Sequence, residues 1–179
     1  PSGFPDMLKN AILSATSASA DRILAHRRHL HLHPEPSYQE TATGRYVSQA
    51  LADMGIAHST GWCAKRGAAG IVAEIPGREP STRRVALRAD MDALPIQEID
   101  RPHASSVPGW MHACGHDAHT ACLLGAAEVL SATRDAWTGT VQLIFQPGEE
   151  CLPGGASLMV AEGALSADAP TGGPGAGAT

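Results

Sequence analysis

Aromatic residues are scarce in this chain, positive charge is thin, and no long apolar run exists. Phe, Tyr and Trp make up 4% of the 179 residues, so any core must rest on aliphatic side chains. Lys and Arg number 13 against 18 Asp and Glu, a formal net charge of −5, and basic residues never run beyond pairs such as Arg27-Arg28 and Arg83-Arg84. That balance excludes the basic footprint of a nucleic-acid binder. No stretch approaches 18 consecutive apolar residues, and the first residues lack a basic segment followed by an apolar one. Neither a membrane span nor a secretory signal is expected. Cysteine is limited to Cys63, Cys114, Cys122 and Cys151, unevenly spaced and unlike a disulfide framework. In a reducing compartment such cysteines serve as core residues, ligands or nucleophiles, and the cytoplasm is the expected location.

What is present is a globular composition, with 43% hydrophobic and 17% charged residues, in a length suited to one domain. A first helix is predicted from about Asp6 to His31, ended by Pro34 and Pro36. The closely spaced His29, His31 and His33 read as marking that helix end. Ser37-Tyr38-Gln39-Glu40 has the spacing of a capping box, and the helix it opens would carry Tyr46, Val47, Ala50, Leu51 and Met54 before Gly55. Strand-like runs follow at Gly70–Ile75, Arg84–Ala89 and Thr140–Phe145, with a helix from Ala118 to about Thr133 between the last two. Strands separated by helices predict an α/β fold, a partly parallel mixed sheet flanked by helices. Ligands of such sheets bind beyond the carboxyl ends of the strands. Asp90-Met91-Asp92 and Gln146-Pro147-Gly148-Glu149-Glu150 both fall there.

Chemistry is densest in Met111–His119, MHACGHDAH, where three imidazoles, a thiol and a carboxylate share nine residues. Two readings are open. Cys114 and His116 can reach one cation across an irregular Gly115, a donor pair suited to zinc, or to cobalt or manganese if carboxylates complete the site. Alternatively the histidines and Asp117 start a helix and Cys114 is a small filler. Glu149-Glu150 offers two carboxylates pointing apart, one to hold an ion and one to act as a base on water, or it is an exposed acidic turn. Alternation past the strand end puts Asp90 and Asp92 on one side, with Met91 opposite. They could bind metal, orient a ligand or form an ordinary turn.

The order of these elements carries a resemblance. RRHLHLHPEPSYQETAT (Arg27–Thr43), ALRADMDALPIQE (Ala86–Glu98), GWMHACGHDAHTACLLGAA (Gly109–Ala127) and VQLIFQPGEECLPGGASLMVAEGAL (Val141–Leu165) occur in succession. Together they resemble the amidohydrolase branch of the aminoacylase and carboxypeptidase-type metallopeptidases, which includes hippurate hydrolases and auxin-conjugate hydrolases. The resemblance implies that Cys114, His116 and Glu150 are metal ligands, that Glu149 is the general base, and that Asp92 orients the site. It implies a divalent pair per complete site, manganese or zinc with cobalt or nickel possible, and a small N-acyl amino acid as substrate. It also implies an α/β catalytic domain interrupted by a lid and dimerisation domain, of which residues 1–165 would be the N-terminal portion.

The chain departs from that pattern after Leu165. Residues 166–179, rich in Gly, Pro and Ala, read as a disordered tail, and no histidine follows His119. The expectation is an incomplete catalytic domain without its lid, cut short or shifted in reading frame near Asp168. An open sheet of that kind would expose apolar surface and favour homo-oligomers. The competing expectation is a non-catalytic metal-binding or interaction fragment.

Overall fold

The computed structural model describes residues 3–80 and 83–166. Among the described residues four helices and four strands follow in the order α1 (Gly3–Leu32), α2 (Thr41–Asp53), β1 (His58–Trp62), β2 (Gly70–Pro76), β3 (Arg84–Asp90), α3 (His116–Ala132), β4 (Thr140–Gln146) and α4 (Gly155–Ala161). The sheet runs β1-β2-β4-β3, antiparallel at β1/β2 and β2/β4 and parallel at β3/β4. It is therefore the partly parallel mixed sheet that the alternation predicted. The predicted tail lies, apart from Ser166, outside the described residues. No described helix is long and apolar enough to cross a membrane.

Alternation along β2 and β4 builds two cores. Ile71, Ala73 and Ile75 join Leu143 and Phe145 on one face, packed with Val47, Leu51, Leu123, Leu124 and Ala127 of α2 and α3. Val72 and Ile144 point to the other face, where Trp62, Cys63 and Met159 meet them. β3 forms an edge of the sheet, and its Val85 is 52% exposed, whereas Leu143, Ile144 and Phe145 of β4 are buried. Strand β1, HSTGW, escaped the sequence reading because one large apolar residue in five gives no period. It is held by pairing to β2 and by the buried Trp62.

The start of α2 corrects the capping-box expectation. The helix begins at Thr41, and Glu40 in the cap position makes no side-chain cap bond. Glu35 performs that task from upstream, accepting hydrogen bonds from the Ala42 and Thr43 amides at 3.0 and 2.7 Å. A carboxylate satisfies these orphan donors and complements the helix dipole. Gly55 does end the helix, with Gly55 N–H donating to Ala52 O and Ile56 N–H to Leu51 O, the paired bonds of a Schellman turn.

Glu40 is fully buried instead, accepting the Gly148 amide at 2.7 Å through Oε1, while its Oε2 has no partner. Burial pushes its carboxyl up from 4.5 to about 7, against the opposing pull of the Glu40, Gly148 and Tyr38 amides. The folded chain therefore holds this proton more tightly than the unfolded chain. The resulting stability is complete below about pH 4.5 and is lost as pH rises through about 7, a swing of roughly 3 kcal/mol. Urea unfolding should show wild type losing stability relative to Glu40→Gln by about that amount over this window. A pH-independent difference would contradict it. Phe145→Ala, at a side chain with no exposure, should cost about 3–5 kcal/mol in the same measurement.

Candidate metal centre

Parallel pairing of β3 and β4, in register from Arg84↔Thr140 to Asp90↔Gln146, brings their carboxyl ends side by side. The Asp90-Met91-Asp92 and Pro147–Glu150 segments therefore leave the sheet at one rim, and α3 starts there with His116. Gly115, at φ +89°, supplies the irregular step between Cys114 and the helix. Gly148 turns at φ +59° beneath the Tyr38 ring, where a Cβ would come within 2.5 Å of ring carbon. Only glycine meets both demands there.

Asp92 organises the rim. Buried to 1% exposure, it faces His116 Nδ1 with both its backbone oxygen (2.9 Å) and its Oδ1 (3.2 Å). Its Oδ2 accepts the Ser37 hydroxyl at 2.6 Å and the Glu150 amide at 2.9 Å. Burial pushes this carboxyl up, but the hydrogen bonds from His116, Ser37 and the Glu150 and Glu149 amides prevail and hold it well below the usual range. With Nδ1–H donated to Asp92, the lone pair of a neutral His116 ring lies on Nε2.

That nitrogen faces a ring of acids. Asp90 Oδ1 lies at 3.5 Å, Glu150 Oε1 at 3.8 Å and Glu149 Oε2 at 3.9 Å. Burial lowers the His116 pKa, yet the Asp92 hydrogen bond and the Asp90 and Asp92 charges outweigh it, and the net shift is upward. The Cys114 thiol is raised by its hydrogen bond to Glu150, by burial and by the charges of Glu150, Glu149 and Asp90. A thiol kept protonated by its neighbours gives up its proton when a cation replaces it. The ligand atoms of Cys114, His116 and Glu150 lie within 4.8 Å of one another. Thiol, imidazole and carboxylate at this spacing fit a divalent ion, and crowded acids favour one.

The structure thus gathers the sequence candidates Cys114, His116, Glu149, Glu150, Asp92 and Asp90 at one place. It adds His119, whose Nδ1 lies 2.5 Å from Asp90 Oδ1. Asp90, His116 and His119 form a second group with ligand atoms within 4.8 Å. The three-residue step from His116 to His119 puts both on one face of α3, a signal the sequence offered and the reading left unused. Met91, as alternation required, is fully buried in the core.

His29, His31 and His33 mark the end of α1 as expected, and His31 does more. Helix α1 ends beside it, at Leu32, and His31 is buried and bridges Asp117 (2.7 Å) and Glu98 (3.1 Å), with Arg27 also on Asp117 at 2.9 Å. This network braces the first turn of α3 against α1. Buried His112 lies beside it without a hydrogen-bond partner on either nitrogen, and burial pushes its pKa down to about 4. It remains neutral.

The mixed sheet with donors gathered at its carboxyl rim defines the class first: an α/β domain with a candidate metal centre. Residues 86–174 match the model described as peptidase family M20/M25/M40. The chain belongs to this family. It is 43% identical over 160 residues to the N-acyl-L-amino acid amidohydrolase of Geobacillus stearothermophilus, covering 89% of this chain and 42% of that protein. It is 44% identical over 148 residues to the N-acetylcysteine deacetylase of Bacillus subtilis, covering 82% and 38%. Among solved structures it is similar to YXEP of Bacillus subtilis, described as a dinuclear metal-binding peptidase of the M20 family, with a TM-score of 0.75, 43% identity and coverage of 84% and 41%. The chain spans about two-fifths of the length of these relatives.

Asp92→Asn keeps the shape but removes the charge that fixes the His116 ring. We expect zinc affinity, measured by titration calorimetry, to fall about 10–100-fold while circular dichroism remains that of the folded chain. Unchanged affinity would deny Asp92 its orienting role.

Proposed function

We propose that this chain carries metal ligands and the general base of an amidohydrolase that cleaves the amide bond of N-acyl amino acids. The observation that carries the reading is the free Nε2 of His116, fixed by Asp92 and met by Cys114 and Glu150 within 4.8 Å. The names of the relatives support the substrate class, an N-acylated amino acid. Two divalent ions per complete site follow from the likeness to a dinuclear peptidase, with manganese or zinc proposed and cobalt or nickel as substitutes.

In this reading Cys114, His116 and Glu150 hold an ion. A divalent cation there supplies Lewis acidity, lowering the pKa of a water toward neutrality and polarising the scissile carbonyl. Glu149 is the base. Its side chain is 41% exposed, the most open of the carboxylates around His116, so it can reach a water and a substrate. It takes the attacking water's proton and returns it to the departing amine nitrogen. Asp92 moves no proton; it holds the His116 tautomer and, through the Glu150 amide, the loop that presents both glutamates. The cysteines are free, which supports a reducing, cytoplasmic setting.

A second reading, a non-catalytic metal-binding fragment, keeps Cys114, His116 and Glu150 as a cation site without turnover. Assays of the manganese- or zinc-loaded chain on acetyl-, hippuryl- and aromatic-acyl amino acids separate the two. Release of free amino acid is expected; stoichiometric metal without turnover favours the fragment. Glu149→Gln should lower turnover about 10²–10⁴-fold and leave metal content unchanged. Loss of metal in that variant would show that the roles of Glu149 and Glu150 are reversed.

A further inference from the structure

Two groups of three converge at this rim, Cys114–His116–Glu150 and Asp90–His116–His119, and they share His116. The sharing has a chemical consequence. His116 Nδ1 is committed to Asp92, so one lone pair, on Nε2, serves both groups. One lone pair makes one metal bond. An ion bound through His116 to Cys114 and Glu150 therefore excludes an ion bound through His116 to Asp90 and His119.

The second group is well held. Asp90 Oδ1 stands between the imidazoles, 2.5 Å from His119 Nδ1 and 3.5 Å from His116 Nε2. Its Oδ2 accepts Arg88 at 3.0 Å, and its backbone oxygen accepts the Thr120 hydroxyl at 2.9 Å. The rings of His116 and His119 lie nearly parallel, 24° apart, with centroids 5.7 Å apart. The His119 side chain is 58% exposed, which leaves coordination positions open to water. Donors around an ion with bonds of about 2.1 Å sit roughly 3 Å apart. Filling the group thus replaces the Asp90–His119 hydrogen bond with a cation and widens that contact slightly.

The two donor sets differ in softness. One contains a thiolate; the other holds two imidazoles, a carboxylate and room for water. Thiolate favours zinc and other soft ions, whereas carboxylate and water suit manganese. Resting on the metal centre proposed above, we propose that Asp90, His116 and His119 form an alternative cation position, selected by harder ions in place of the Cys114–His116–Glu150 position. The identity of the ion then decides where it sits, with softer ions beside Glu150 and harder ions one step away along α3.

The test titrates the metal-free 179-residue chain with cobalt(II), followed by its sulfur-to-cobalt charge-transfer absorption, and with manganese(II), followed by electron paramagnetic resonance. His119→Ala and His119→Gln should weaken manganese about tenfold or more while keeping the cobalt band, which also reports a folded site. Cys114→Ser should abolish the band and weaken cobalt, leaving manganese affinity within about twofold. Manganese binding unchanged by both His119 substitutions, with cobalt still dependent on Cys114, would overturn the alternative position and leave the metal centre intact. Either substitution weakening both ions alike would mean one shared position and would also overturn it. If the unaltered chain held neither ion, or Cys114→Ser changed neither, the metal-centre reading itself would fail.

Discussion

The hold of Asp92 on the imidazole of His116 is the constraint on which the rim depends. One buried carboxylate gathers the segment after α1 through Ser37, the start of α3 through His116, and the loop after β4 through the Glu150 amide. Each bond has a donor on the other side, so the charge is stabilised by donors from three directions rather than by water. The same bonds decide which nitrogen of His116 faces the cluster. Without them the ring could turn or change tautomer, and Cys114 and Glu150 would have no fixed third partner.

Electrostatic crowding follows from that arrangement. Asp90, Glu149 and Glu150 all lie within 4 Å of His116 Nε2. Like charges at such distances raise one another's energy unless a cation lies between them. Local contacts offset part of this: Arg88 and His119 engage Asp90, and Glu150 raises the Cys114 thiol. These are the contacts that a metal ion would replace in the proposed site. A helix braced at its first turn by the Asp117–His31–Glu98 network keeps His116 in place.

Much of the fold was legible from local pattern. Gly70–Pro76, Arg84–Asp90 and Thr140–Gln146 are strands where apolar runs ended in turn or polar residues, and α3 lies where helical spacing put it. β1 and α4 were not legible, because HSTGW has no apolar period and a seven-residue helix gives too few turns to show one. Ser37 and Glu40 misled for a different reason. Their spacing suits a helix cap, yet Ser37 is taken by Asp92 and Glu40 by the Gly148 amide, while Glu35 caps α2. A local pattern says which bonds are available, and long-range packing selects among them.

The same division runs through the site. The linear order of residues by itself determined which donor types exist, that Asp90-Met91-Asp92 and Glu149-Glu150 follow strands, and that Cys114 and His116 precede a helix, because these are properties of neighbours along the chain. Only the tertiary structure decided that they share one rim. That required β3 and β4 to pair in parallel, with Asp90 beside Gln146, so that segments 58 residues apart leave the sheet together. It decided as well that His119 joins the cluster and that His31 is buried between Asp117 and Glu98. Strand pairing and burial are bargains among distant residues, and no local period records them.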